Sequence, residues 1–216
     1  IGGSVGVQHG GEGAWAKRCA PRSTVSYNAI FPLIAVIRRC RRAAAAPPRV
    51  CCRCQCPQCG TPGGTASATA SSANVVTITA DLPEAASGVL YALGGAGGGL
   101  TCYLDPGHLV YEYNCFILMR TKLRSEAPLP AGPTTIEIET VFAEARPGGP
   151  LDITASAGGA VVTSGQVPVS VPLLFTANDC LDIGTCLGSP VSLDYYDRAP
   201  FPFEGRIDQV HVRSLG

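Results

Sequence analysis

Four groups of residues in this 216-residue chain carry side chains that could do chemistry. Cys56 and Cys59 have the C-x-x-C spacing that lets two thiolates reach one zinc ion, within the run Cys51-Cys52-Arg53-Cys54-Gln55-Cys56-Pro57-Gln58-Cys59. A structural zinc site needs a second ligand pair about a dozen residues away. Cys19 and Cys40 lack that spacing, and nothing downstream supplies it. Asp179, Asp182, Asp194 and Asp197 gather around Gly184 and Gly188. Loop carboxylates are the donors of calcium's oxygen shell, although no D-x-D-x-D-G spacing is present and solvated loop acids are the plainer reading.

Glu137 and Glu139 stand two apart and invite a glycosidase reading, in which paired carboxylates flank a sugar at ~5–9 Å. Alternation in a half-exposed strand puts such residues on its wet face with no catalytic meaning. Tyr103, Tyr111, Tyr113, Tyr195 and Tyr196 offer rings for sugar stacking, and tyrosine is also an ordinary strand residue. His108 and His211 have no nucleophile beside them in sequence. Cys102, Cys115, Cys180 and Cys186 are disulfide partners in an exported protein and buried thiols otherwise.

The elements that must position these groups divide near residue 73. Residues 1–73 hold nine Lys or Arg against the single acid Glu12, while 74–216 hold seven basic and fifteen acidic residues. The formal neutrality is therefore about +8 set against −8. Seven of the eleven cysteines precede residue 60. Ala43–Pro48 and Thr61–Ser72 have linker composition. The Arg, Ala, Pro, Gly and Cys bias of 1–73 is what GC-rich DNA yields in the wrong frame, and it predicts an unstructured segment. Its basic run Arg38–Arg42 lacks interleaved aromatics, so no specific nucleic-acid binding is expected. The longest apolar run, Ala29–Ile37, is far short of the ~20 residues a spanning helix needs. With Ile1 at its start and Met119 its sole methionine, the chain reads as a fragment. Its compartment stays open.

From Asn74 the pattern is that of strands. Asn74–Leu82 and Thr134–Phe142 alternate; in the second, Thr135, Glu137, Glu139 and Val141 oppose Ile136, Ile138, Thr140 and Phe142. Val89–Leu93 is continuously apolar, as for a strand covered on both faces. Leu100–Leu104 and Leu109–Tyr113 flank the turn Asp105-Pro106-Gly107-His108. Further strands are predicted at Phe116–Leu123, Leu151–Ala155, Ala160–Val167, Asp182–Cys186 and Phe203–Val212, with Val169–Phe175, interrupted by Pro172, only an edge or irregular one. Gly158-Gly159 makes a hairpin turn. Some ten short strands without a convincing helix predict a mainly β fold, an antiparallel β-sandwich or jelly roll.

An ordered series of residues now carries a resemblance. It runs through Gly88-Val89-Leu90, Gly94-Gly95, Gly98-Gly99, Tyr103, Tyr111-Glu112-Tyr113-Asn114, Leu129-Pro130-Ala131-Gly132 and Ile136–Glu139. It continues through Asp182-Ile183-Gly184, Leu187–Ser192, Asp194-Tyr195 and Pro202–Val210. Residues 74–216 resemble the C-terminal domain of bacterial arylsulfatases. The closing Phe203-x-Gly205-x-Ile207-Asp208-x-Val210 also resembles the last strand of laminin-G and concanavalin-like sandwiches. The resemblance implies an accessory domain whose partner is a sulfatase catalytic domain. That missing domain would hold the C-x-P-x-R segment giving formylglycine, together with a divalent cation, usually calcium. Cys19-Ala20-Pro21-Arg22 sets its arginine one position early, so no catalytic residue carries over. The chain is expected to have no cofactor of its own and no sulfatase activity. The alternative is a stand-alone carbohydrate-binding sandwich.

Overall fold

The computed structural model describes residues 34–38, 73–144, 146–172, 175 and 181–215. Cys56, Cys59, Cys180 and Asp179 lie outside them, as does nearly all of 1–72. Among the described residues the chain forms eleven strands and one short 3-10 turn, Tyr196–Arg198. The strands are β1 Ile34–Arg38, β2 Asn74–Leu82, β3 Gly88–Gly95, β4 Gly98–Leu104, β5 Leu109–Cys115 and β6 Met119–Arg124. They continue with β7 Gly132–Phe142, β8 Leu151–Ala157, β9 Ala160–Val167, β10 Leu181–Ile183 and β11 Arg206–Ser214. The first sheet has the order β1-β11-β2-β7-β8-β9 and the second the order β10-β3-β4-β5-β6, every ladder pair antiparallel. This is an antiparallel β-sandwich.

Alternation explains the first sheet. Val76 and Ile78 of β2, Ile136 and Ile138 of β7, and Ile153 and Ala155 of β8 turn inward. They pack on Leu90, Leu93, Leu100, Cys102, Leu104, Leu109, Tyr111 and Tyr113 from the second sheet. Their neighbours Thr79, Thr135, Glu137 and Glu139 point outward and are exposed. Burying one such aliphatic side chain contributes about 1.5–3 kcal/mol. One face of each strand therefore decides its place.

The second sheet breaks that rule. β3, β4 and β5 are buried at every position. Their outward residues Val89, Ala92, Tyr103 and Val110 form a second core with Cys186, Val191, Tyr195 and Phe201. Those last four belong to the stretch between β10 and β11, which crosses the sheet as a strap. Strands covered on both sides read as near-continuous apolar runs, which is why β3 does.

Several boundaries differ from the sequence pattern. Phe116–Leu118 form the turn of the β5–β6 hairpin, and the strand starts at Met119. The described residues of 169–175 carry no strand, as Pro172 disfavours one. Asp182–Cys186 contributes only Leu181–Ile183. In β11 the register slips between Ile207 and Gln209, so Ile207 faces Ala80 and Val210 faces Ile78. This bulge turns both apolar residues inward, where plain alternation sets them on opposite faces. A like shift between Val89 and Tyr91 lets Leu90 and Tyr91 both join the main core.

Candidate functional site

The outer face of the first sheet is the open surface, and antiparallel pairing arranges its side chains in rows. His211, Thr77, Glu137 and Ser156 stand side by side across β11, β2, β7 and β8. The next rows are Gln209, Thr79 and Thr135 on one side, and Arg213, Val75, Glu139 and Thr154 on the other. Thr77 Oγ1 donates to Glu137 Oε1 at 3.2 Å, which holds that carboxylate upright and leaves its second oxygen for other donors. His211 Nε2 is enclosed and has no hydrogen-bond partner among the described residues.

An open depression of about 380 Å³ lies at the end of this face, lined by Thr79, Pro133, Thr134, Thr135, Glu137, Gly158 and Gly159. The β8–β9 hairpin forms one wall. Gly158 and Gly159 adopt φ of 58° and 83°, the left-handed region a two-residue turn of this kind demands. Gly158 N donates to Thr135 O at 2.9 Å and ties the hairpin to β7. The lining offers hydroxyls, one carboxylate and no aromatic ring.

The charged groups of the other face are engaged within the fold. Glu112 on β5 is 1 % exposed, and Arg120 Nη1 donates to its Oε1 at 2.9 Å while Lys122 Nζ stands 3.7 Å from Oε2. Arg120 also donates to Val191 O at 2.7 Å, and Lys122 to Asp194 Oδ2 at 2.6 Å. Tyr103 donates its hydroxyl to the same Asp194 oxygen at 2.8 Å. Burial raises the Asp194 carboxyl, but the Lys122 and Tyr103 hydrogen bonds and the nearby Arg198 charge outweigh it, so the group sits below the usual aspartate value. Arg198 closes the strap's far end with two 2.9 Å bonds to Asp105, its guanidinium 4.3 Å from the Phe201 ring centre. This network fastens strap to sheet.

The sequence-predicted groups are thus dispersed. Tyr103, Tyr111, Tyr113 and Tyr195 are core residues, not a stacking platform; only Tyr196, at 60 % exposure, reaches solvent. Burial pushes the first four phenols well above their ordinary value. For Tyr103 and Tyr195 the cause is the double coverage of the five-stranded sheet, which turns outward-pointing Tyr103 into interior. Asp182 pairs with Ala92 at the β10 edge, whereas Asp194 bonds to β6 at the opposite edge. Tyr103 on β4 and Lys122 on β6 hold Asp194 over the half of the sheet away from β10. Asp182 accepts from Leu187 N at 2.7 Å, and Asp197 sits in the 3-10 turn. Among the described residues no three His, Cys, Asp or Glu side chains are grouped to hold a metal. Cys102, Cys115 and Cys186 are buried, with Cys186 Sγ donating to Ser189 O at 3.8 Å, and burial raises Cys102 and Cys115, which suits packing rather than nucleophilic attack. Glu137 and Glu139 are on the wet face, and His108 Nδ1 lies 2.9 Å from Ser125 O. No helix of the described residues is long and apolar enough to cross a membrane.

The depression itself carries no sequence signal beyond the alternation and the Gly158-Gly159 turn. Pairing register, not motif, brings Thr79 beside Thr135.

No family model matches the chain, and no curated protein matches it. Solved structures do. The CBM40 of the Ruminococcus gnavus IT-sialidase, bound to alpha2,3 sialyllactose, shares 16% identity over 69% of this chain and 79% of its own, at a TM-score of 0.47. Domains LG4-5 of the mouse laminin alpha1 chain share 16% over 68% of this chain and 36% of theirs, at 0.45.

Proposed function

We propose that this β-sandwich is a non-catalytic module that holds a carbohydrate chain on the outer face of its six-stranded sheet. One observation carries the reading: hydroxyls and a carboxylate are collected around an open depression at the end of this face. Thr79, Thr134 and Thr135 both donate and accept, and Glu137 accepts from paired ligand hydroxyls. Without an aromatic floor the site lacks ring stacking, and binding is expected to be weak. The face carries Asp81, Glu137, Glu139 and Asp152 against Arg213 and Arg206, the latter 3.7 Å from Asp81, in a segment with seven basic and fifteen acidic residues. It therefore suits a neutral polysaccharide over a sulfated or carboxylated one.

Affinity electrophoresis of the chain through gels containing neutral or acidic polysaccharides tests this. The expected result is retardation in at least one neutral gel, lost in Glu137→Ala. Unretarded migration in all of them, or equal retardation of the variant, contradicts it.

The second reading is an accessory domain beside an arylsulfatase-like hydrolase, supported by the residue series from Gly88 to Val210. Several residues of that series have architectural tasks. A Cβ at Gly88 would lie 2.3 Å from Pro202 O, and one at Gly205 2.5 Å from Asp81 O. Tyr103, Tyr111 and Tyr113 fill the two cores. The series is thus also what this sandwich requires of any sequence that adopts it. Aryl sulfate turnover by the pure chain is expected to be nil.

A further inference from the structure

The β5–β6 hairpin ends in four consecutive apolar residues, Phe116, Ile117, Leu118 and Met119, exposed by 40, 65, 90 and 38 %. Phe116 and Ile117 adopt φ of 50° and 68°, a left-handed conformation that is a real cost for a β-branched residue. The side chain of Asn114, itself fully buried, holds this turn: Oδ1 accepts from Ile117 N at 2.9 Å and Nδ2 donates to Ala96 O at 2.9 Å. Phe116 N donates to Asn114 O and Leu118 N to Cys115 O, both at 3.1 Å. The turn's backbone donors at 116, 117 and 118 are thus satisfied inside the protein. Turns in water make such bonds as well, but water can replace them there, whereas a loop entering hydrocarbon cannot do without them.

The surroundings agree. Gly98 packs on the Phe116 side, Ala96 N donates to Ser189 Oγ at 2.9 Å, and Gly99 lies against Val191. The three segments so gathered, Gly94–Leu100, Cys115–Met119 and Cys186–Leu193, contain no ionisable acid or base apart from two thiols. The ion pairs Arg120–Glu112 and Lys122–Asp194 begin only beyond them. With large side chains at about 150–250 Å² each, the exposed fractions amount to roughly 400 Å². A stable protein contact takes about 800 Å² per partner, so a convex tip of this size suits insertion better than subunit pairing.

We propose that Phe116–Met119 insert into the interfacial region of a lipid bilayer and tether the sandwich to it. The basic residues that follow the tip, Arg120 and Lys122, are matched by Glu112 and Asp194, so the tip offers no spare positive charge to anionic headgroups, which points to a zwitterionic surface. The polysaccharide site plays no part in this.

The test is flotation of the full chain with phosphatidylcholine vesicles, beside Leu118→Asp and Ile117→Asp. Wild type is expected in the floating fraction, with partitioning at least tenfold lower in each variant and unchanged unfolding temperature, because residue 118 is solvent-exposed. Leu118→Trp should show a blue-shifted emission with vesicles, quenched by brominated acyl chains. Wild type remaining in the aqueous fraction overturns the proposal, as does flotation of Leu118→Asp equal to wild type. Wild-type dimers dissociated by Leu118→Asp, without flotation, overturn it in favour of a protein contact.

Discussion

The outer faces of the two sheets have opposite fates. The five-stranded sheet is closed by the strap between β10 and β11, whose Cys186, Val191, Tyr195 and Phe201 complete a second core. The six-stranded sheet presents Thr79, Thr135, Glu137 and Glu139 to solvent. The same alternation of side chains thus yields structure on one side and a surface free for ligands on the other. Charge follows the same division. Glu112 is enclosed and must be matched by Arg120 and Lys122, while Glu137 needs only Thr77 and water.

Adjacent positions on β7 break or sharpen this contrast most strongly. Ile138 is fully buried, so Ile138→Ala should cost about 3–4 kcal/mol, read from urea unfolding. Glu137→Ala, one residue away, should change stability by less than about 0.5 kcal/mol. Equal losses would mean that the six-stranded sheet is covered after all. Next in size is Arg120→Ala, which leaves Glu112 enclosed with only Lys122 nearby and should cost about 2–4 kcal/mol. The same measurement on Arg213→Ala, exposed on β11 of the other sheet, should register almost nothing.

A pH titration sharpens the comparison further. Asp194 titrates below its ordinary value in the fold. Its contribution to stability is full above the unfolded aspartate pKa of about 3.9 and is lost as pH falls through the lower folded value. Strap amides should therefore exchange faster in acid before those of β2 and β7 do. Buried Tyr103 and Tyr195 act in the opposite range. Their folded pKa values are raised, so the stabilisation is complete below about pH 10 and fades as pH rises above it. Alkaline loosening should again begin at the strap. Smallest of all is the effect of a chelator. With Asp182 and Asp194 at opposite sheet edges, EDTA should leave the unfolding temperature unchanged, and calcium should not raise it.

Much of the six-stranded sheet was legible beforehand, β1 excepted, since Ile34–Arg38 falls in the segment expected to be unstructured and yet pairs with β11. Thr134–Phe142 alternates without fault because one face meets the core and the other meets water, and Gly158-Gly159 marks its hairpin. The bulges at Leu90 and Asp208 were not legible, since each inserts one residue into a pattern that reads locally as unbroken. Tyr103 pointed away from Leu100 and Cys102 as expected, but its burial depends on Tyr195 and Phe201, more than ninety residues later. Rings at 5.2 Å and 6.3 Å from it replace the solvent that a sugar platform would need. Glu112 was not singled out in its apolar strand, and its partners, Arg120 and Lys122, follow from hairpin pairing. The depression at Thr79 was beyond reach, because two strands distant in sequence build it.

The central claim is that ligand meets the six-stranded sheet and not the strapped one. Carbodiimide labelling of carboxylates, with and without the retarding neutral polysaccharide, tests it most directly. Protection of Glu137 and Glu139, with Asp194 and Asp182 labelled as before, is the result predicted. Unchanged labelling of Glu137, or protection confined to Asp194 and the strap, would contradict it.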